Sequence, residues 1–147
     1  MRRAHLRRGL AAAALVPLLA GLSACGDDDK DAVDSGAKPG TQACAGLPSA
    51  DSAATLPTGF PALGDQLLYE PSMQGTTKIV YGLLDESDFV EVRDELVDKL
   101  KAASYKIEGT DQESVEAEAE FSGPQRGTIK VQPLCKGHVS IRYKFLG

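Results

Sequence analysis

The stretch at residues 115–121 constrains this chain more than any other. Val115, Ala117, Ala119 and Phe121 alternate with Glu116, Glu118 and Glu120. A strict period of two fits a strand with one buried and one wet face. Such a strand needs neighbours whose apolar residues fall on the same side. Downstream, Ile129 and Val131 alternate within 128–134, and Val139, Ile141, Tyr143 and Phe145 within 138–145. The breakers Gly123-Pro124-Gln125-Arg126-Gly127 and Lys136-Gly137 read as turns between them. Tyr105 and Ile107 begin a further strand that ends near Gly109, with a turn at 110–113. Upstream, 65–70 and 76–84 read as a hairpin around a turn at 71–75, with Thr77, Ile79, Tyr81 and Leu83 on one face.

Between hairpin and meander the period changes. Phe89, Val92, Leu96, Leu100 and Ala103 recur at three- and four-residue steps, which predicts one amphipathic helix over 86–104. Asp85 or Ser87 is placed to cap it. Acids early and Lys99 and Lys101 late suit the helix dipole, and Glu95 with Lys99 adds an i,i+4 pair. The expected fold is therefore α+β: a single helix packed on one face of a twisted antiparallel sheet, in the order ββαββββ. Aromatic residues make up only 5% of the chain and Trp is absent, so aliphatic side chains must fill most of that core.

The outward residues of the same strands form the candidate binding surface. Glu116, Glu118 and Glu120 should share a sheet face with Lys130, Arg142 and Lys144, with opposite charges on neighbouring strands. The 59–75 region is a second candidate, with Phe60, Pro61, Tyr69 and Met73 expected to be partly exposed.

The N-terminus follows a different logic. Arg2, Arg3, Arg7 and Arg8 precede an apolar run from Gly9 to Gly21, which is too short to span a bilayer and has the layout of a secretory signal. Leu22-Ser23-Ala24-Cys25 then resembles the lipobox of bacterial lipoproteins: an aliphatic residue, two small ones and a cysteine. That resemblance implies a diacylglyceryl group on the Cys25 thiol, cleavage just before it, and an anchor of two or three acyl chains. One chain alone binds a membrane only marginally. Leu56-Pro57-Thr58-Gly59-Phe60-Pro61, the Phe89-to-Tyr105 helix and the Glu116-to-Gly123 strand together resemble small bacterial lipoproteins. This second resemblance covers most of 56–147 and implies the order of elements, not an activity.

The division that follows is a signal peptide at 1–24, a lipidated cysteine and tether at 25–58, and a globular domain at 59–147. The acidic run 27–31 and the Ser, Gly, Ala, Pro and Thr residues after it lack apolar periodicity, as a spacer does. With Cys25 acylated, Cys44 and Cys135 remain as an even pair in an oxidising compartment, and a disulfide is expected.

Charge narrows the partners. Removing the four N-terminal arginines from 16 basic residues leaves 12 against 21 acids, so the chain beyond Cys25 is near −9. Nucleic acid is not expected as a partner, because phosphate binding needs a basic surface. Anionic lipid is disfavoured likewise, so attachment must come from the covalent anchor.

Catalytic signatures are missing. The sequence contains no P-loop, no dinucleotide-binding glycine motif and no G-x-S-x-G elbow. One histidine beyond the signal, His138, is expected at an exposed strand start and does not by itself make a zinc site. Neither cofactor nor metal is expected. The sequence reading is thus a non-catalytic protein-interaction module, lipid-anchored to the cell membrane, or to the outer membrane if there is one, and facing outside the cytoplasm with an envelope protein as partner. A small-molecule-binding lipoprotein is the alternative, and an envelope hydrolase a further one without a motif behind it.

Overall fold

The computed structural model describes residues 38–147. The signal segment, Cys25 and the acidic run lie outside the described residues. Six strands and one helix follow in the expected order: β1 Leu67–Gln74, β2 Thr77–Leu84, α1 Phe89–Ala102, β3 Lys106–Gln112, β4 Ala117–Ser122, β5 Arg126–Cys135 and β6 His138–Leu146. All pairings are antiparallel, in the sheet order β1-β2-β6-β5-β4-β3. The hairpin and the meander are one sheet because β6 pairs with β2 on one side and β5 on the other.

Helix α1 lies across β3, β4 and β5. Its cap is Asp88, not Asp85 or Ser87: Asp88 Oδ1 accepts from the backbone N–H of Val90 at 2.9 Å and of Glu91 at 3.1 Å. The helix starts at Phe89, so the acceptor one residue earlier is the one within reach of its first free N–H groups. At the far end Ser104 takes a left-handed φ of 65°. The N–H of Tyr105 bonds to the Leu100 carbonyl at 2.9 Å and that of Ser104 to Lys101 at 3.0 Å, the paired bonds of a Schellman stop. Ala103, placed on the apolar stripe by its spacing, is this exposed C-cap. Asp88→Ala should lower stability by about 0.5–2 kcal/mol, read as a lower urea midpoint at unchanged slope.

Packing explains the small residues of β4. Ala117 and Ala119 are fully buried, and Val92, Leu96 and Leu100 of the helix join Ala119, Ile129 and Val131 in one core. Arg93 is also buried. Its Nη1 donates to the carbonyls of Asp111 at 3.1 Å and Glu118 at 3.3 Å, and its Nε to Asp94 at 2.7 Å. These bonds pair the buried guanidinium and tie the helix to β3 and β4.

Part of the stretch read as tether is packed chain. Ala54 is buried, as are Phe60 and Leu63 just beyond the expected boundary. Asp51 N–H bonds to the Leu68 carbonyl at 3.0 Å, and Lys136 N–H to Gln42 at 2.8 Å. The Phe60 ring, expected to be partly exposed, stands against Tyr105, Phe121, Tyr143 and Phe145 at centroid distances of 5.7, 5.4, 5.8 and 4.9 Å. It fills the core beside the helix; the burial of Ala54 and the bonds of Asp51 and Gln42 show that packed chain begins well before residue 59. Tyr69 is buried and Pro61 half-buried as well; of the four, only Met73 is strongly exposed, at 63%.

Two strands run longer than their sequence suggests. β1 continues through Pro71 to Gln74, where a turn was expected, by means of a bulge between Tyr69 and Ser72 with Glu70 at φ 45°. An edge strand with a bulge tolerates the missing proline N–H. β3 extends to Gln112, pairing Asp111 with Glu118 and Gln112 with Ala117, where a turn at 110–113 was expected. The turn is instead closed by Glu113 N–H to Glu116 at 2.8 Å. As an edge strand with almost every residue exposed, β3 shows no apolar alternation to read. Gly127, read as a turn residue, lies within β5, and a Cβ there would stand 1.9 Å from the Lys144 carbonyl oxygen. Close backbone approach is its role.

Candidate functional site

The sheet face opposite the helix carries the charged residues singled out from the sequence. Register aligns Tyr69, Tyr81, Arg142, Lys130, Glu118 and Asp111 in one row across all six strands. A parallel row runs Ile79, Lys144, Thr128 and Glu120. Aromatic residues thus occupy one end, cations the middle and carboxylates the other end. Tyr69 stacks on Tyr81 with ring centroids 5.6 Å apart, and its hydroxyl lies 2.8 Å from Ser140 Oγ. Burial pushes the Tyr69 phenol up from its ordinary range, so it stays neutral.

The middle of the face is an ion cluster. Lys130 Nζ sits 2.6 Å from Glu116 Oε1 and 3.2 Å from Glu118 Oε2, and Gln132 Nε2 donates to Glu116 at 2.9 Å. The side chains of Lys130, Glu116 and Glu118 are 19%, 21% and 29% exposed, so solvent screens the cluster only in part. Hydrogen bonding from Lys130 holds the Glu116 carboxyl below the usual glutamate range, and the same contact holds the Lys130 ammonium above its own. Among the described residues, Arg142, Lys144 and Glu120 have no ion-pair partner. The buried Nε–H of Arg142 donates to no acceptor among the described residues.

A pH dependence follows from the signs. Glu116, and Glu108 beside Lys106 and Ser122, titrate lower in the fold than in the unfolded chain. Their contribution is therefore present above the ordinary glutamate value and lost as pH falls through the folded one. Lys130 titrates higher in the fold, so its contribution holds below the ordinary lysine value and is lost only at more alkaline pH. The urea midpoint should fall between about pH 6 and about pH 3, and Lys130→Met should flatten that limb.

A second cluster sits at one end of the sheet. Cys44 and Cys135 form the expected disulfide, with Cα atoms 5.2 Å apart across 91 residues. His138, expected to be exposed, has a side chain only 21% exposed. Its Nε2 is 3.0 Å from Asp85 Oδ1, and its Nδ1 is 3.5 Å from Cys44 Sγ and 3.2 Å from the Lys136 carbonyl oxygen. A cleft of about 610 Å³ opens beside the bridge, with Phe89, Val115, Pro133 and Cys135 among its walls. Sequence reasoning missed this corner, although the Cys135-x-x-His138 spacing across a tight turn was visible.

Comparison with protein-family models, with curated proteins and with solved structures finds no match for this chain.

Proposed function

We propose that the protein is an extracytoplasmic lipoprotein, anchored through acyl chains on Cys25, whose domain binds another envelope protein on the open sheet face without catalysis. One observation carries the binding reading: the register-aligned row from Tyr69 to Asp111, with Arg142, Lys144 and Glu120 left unpaired on the same face. The lipobox supports the anchor, and the Cys44–Cys135 bridge suits an oxidising compartment. The partner should present carboxylates against Arg142 and Lys144 and a basic group against Glu120. Such complementarity sets register and partner choice more than raw affinity.

A photo-crosslinking residue in place of Thr128, between Lys144 and Glu120 on this face, tests the proposal in intact cells. A discrete adduct is expected from position 128 and not from Glu95 on the exposed side of α1. The pair Arg142→Glu and Lys144→Glu should reduce that adduct about tenfold. Intact mass of the native product should show a chain beginning at Cys25 with acyl mass added. Equal labelling from both positions, or an unacylated product, overturns the corresponding half of the reading.

The cleft beside the disulfide favours a second reading, binding of a small apolar ligand, since its volume lies in the range of ligand sites. A lipophilic compound retained by the native protein and lost in Phe89→Asp would establish it.

A further inference from the structure

We infer that Cys44, Cys135 and His138 form a redox-gated site for a divalent cation of the zinc class, closed while the two sulfurs are bonded and open once an external dithiol has reduced them. The sequence places two of the ligands. Cys135-Lys136-Gly137-His138 spans the turn from β5 to β6, Gly137 closes it with a φ of 80°, and Cys135 and His138 are direct register partners. A turn of this kind brings side chains three positions apart to one point, a spacing by which paired zinc ligands are commonly held. Cys44 arrives from the preceding segment, which the bond from Lys136 N–H to the Gln42 carbonyl fixes at 2.8 Å. The ligand atoms of the three residues all lie within 4.8 Å of one another.

The imidazole supplies an independent observation. Its Nδ1 faces the sulfur at 3.5 Å while its Nε2 faces Asp85 Oδ1 at 3.0 Å. A metal-binding histidine typically gives its other N–H to a carboxylate, which fixes the ring and its tautomer. Asp85 is free for this role because Asp88 caps the helix. Two sulfurs and one nitrogen form a ligand set suited to zinc, with the fourth position left to water.

The chemistry balances. An external dithiol gives two electrons to the Cys44–Cys135 bond, which breaks, and is itself oxidised to a disulfide; its two protons end on the two cysteine thiols. A divalent ion then displaces those protons to solvent, forming two bonds to sulfur and one to Nδ1. Zinc–sulfur bonds of about 2.3 Å in a tetrahedron require the sulfurs to separate to roughly 3.8 Å. Side-chain rotation provides that separation from Cα atoms 5.2 Å apart. Two-electron reoxidation of the pair to the disulfide, by a disulfide oxidant, releases the ion.

Co²⁺ is the probe, titrated without oxygen into the chain reduced by a phosphine, with circular dichroism followed in parallel. One equivalent should give thiolate-to-cobalt absorption that one equivalent of Zn²⁺ abolishes, and the oxidised chain should give none. Cys44→Ser and Cys135→Ser should each lose about half of that absorption. His138→Ala should weaken binding at least tenfold, and Asp85→Asn about 10- to 100-fold with the bands retained. A reduced chain that loses its strand signal and regains it with Co²⁺ also meets the expectation. Absence of thiolate-to-cobalt absorption, a His138→Ala chain that binds as tightly as its parent, or a chain left unfolded by Co²⁺ overturns it.

Discussion

Phe60→Ala is expected to cost about 3–5 kcal/mol of stability, the largest effect of any single substitution considered for this protein. The reason lies in what the ring touches. Phe60 is 7% exposed and meets four other aromatic rings, three of them edge-on at 77°, 84° and 89°. Helix α1 packs chiefly on β3, β4 and β5, so the core over β2 and β6 depends largely on the segment that carries Phe60. Truncation leaves a cavity between Phe121, Tyr143 and Phe145 that the strands cannot close without breaking their ladders. Tyr143 is held further by its hydroxyl, which donates to Gln66 Oε1 at 2.7 Å. Urea unfolding of Phe60→Ala against its parent measures the cost. A residue in loose chain would change stability by less than about 0.5 kcal/mol, so a neutral result would mean that the Phe60 ring does not hold the core.

Replacing both Cys44 and Cys135 by serine should cost about 2–5 kcal/mol. The bridge closes a loop of 91 residues in sequence separation, and the entropy it removes from the unfolded chain grows slowly with that length. Against the roughly 5–15 kcal/mol that stabilises an ordinary domain, this is a large share. Reduction of the parent without metal should reproduce the shift, which separates the bond from the serine side chains. The disulfide and Phe60 fix the same segment at two points, so their effects should not add. Phe60→Ala in the double-serine background should cost less than in the bridged chain, and a double-mutant cycle reads the difference.

The central strands were the most legible part of the sequence, for a physical reason. β4, β5 and β6 are buried on one face and wet on the other, so each residue reports its side. Val139, Ile141, Tyr143 and Phe145 all fall inside as their alternation requires. Edge strands carry no such contrast. β1 and β3 therefore ran past their expected ends, through Pro71 and through Thr110 to Gln112. The 44–63 segment was opaque for another reason: its contacts are made by single residues in irregular backbone, and no period marks them. The charged face was legible because alternation fixes both sides of a strand at once. The sulfur–histidine corner was not, since Cys44 and His138 lie 94 residues apart and only the fold brings them together.

The place of β6 sets a timetable. It is the last strand in chain order, yet it occupies a central slot between β2 and β5. Until residues 138–146 are available, the β1–β2 hairpin and the β3–β4–β5 group have no shared border, and the hydrophobic interior stays open along its middle. Closure of the sheet consequently waits on one distant pairing, β2 with β6, and pairings between distant segments form slowly. A polypeptide wired in this way keeps its two halves apart until its final strand is free to slot between them, and only then locks.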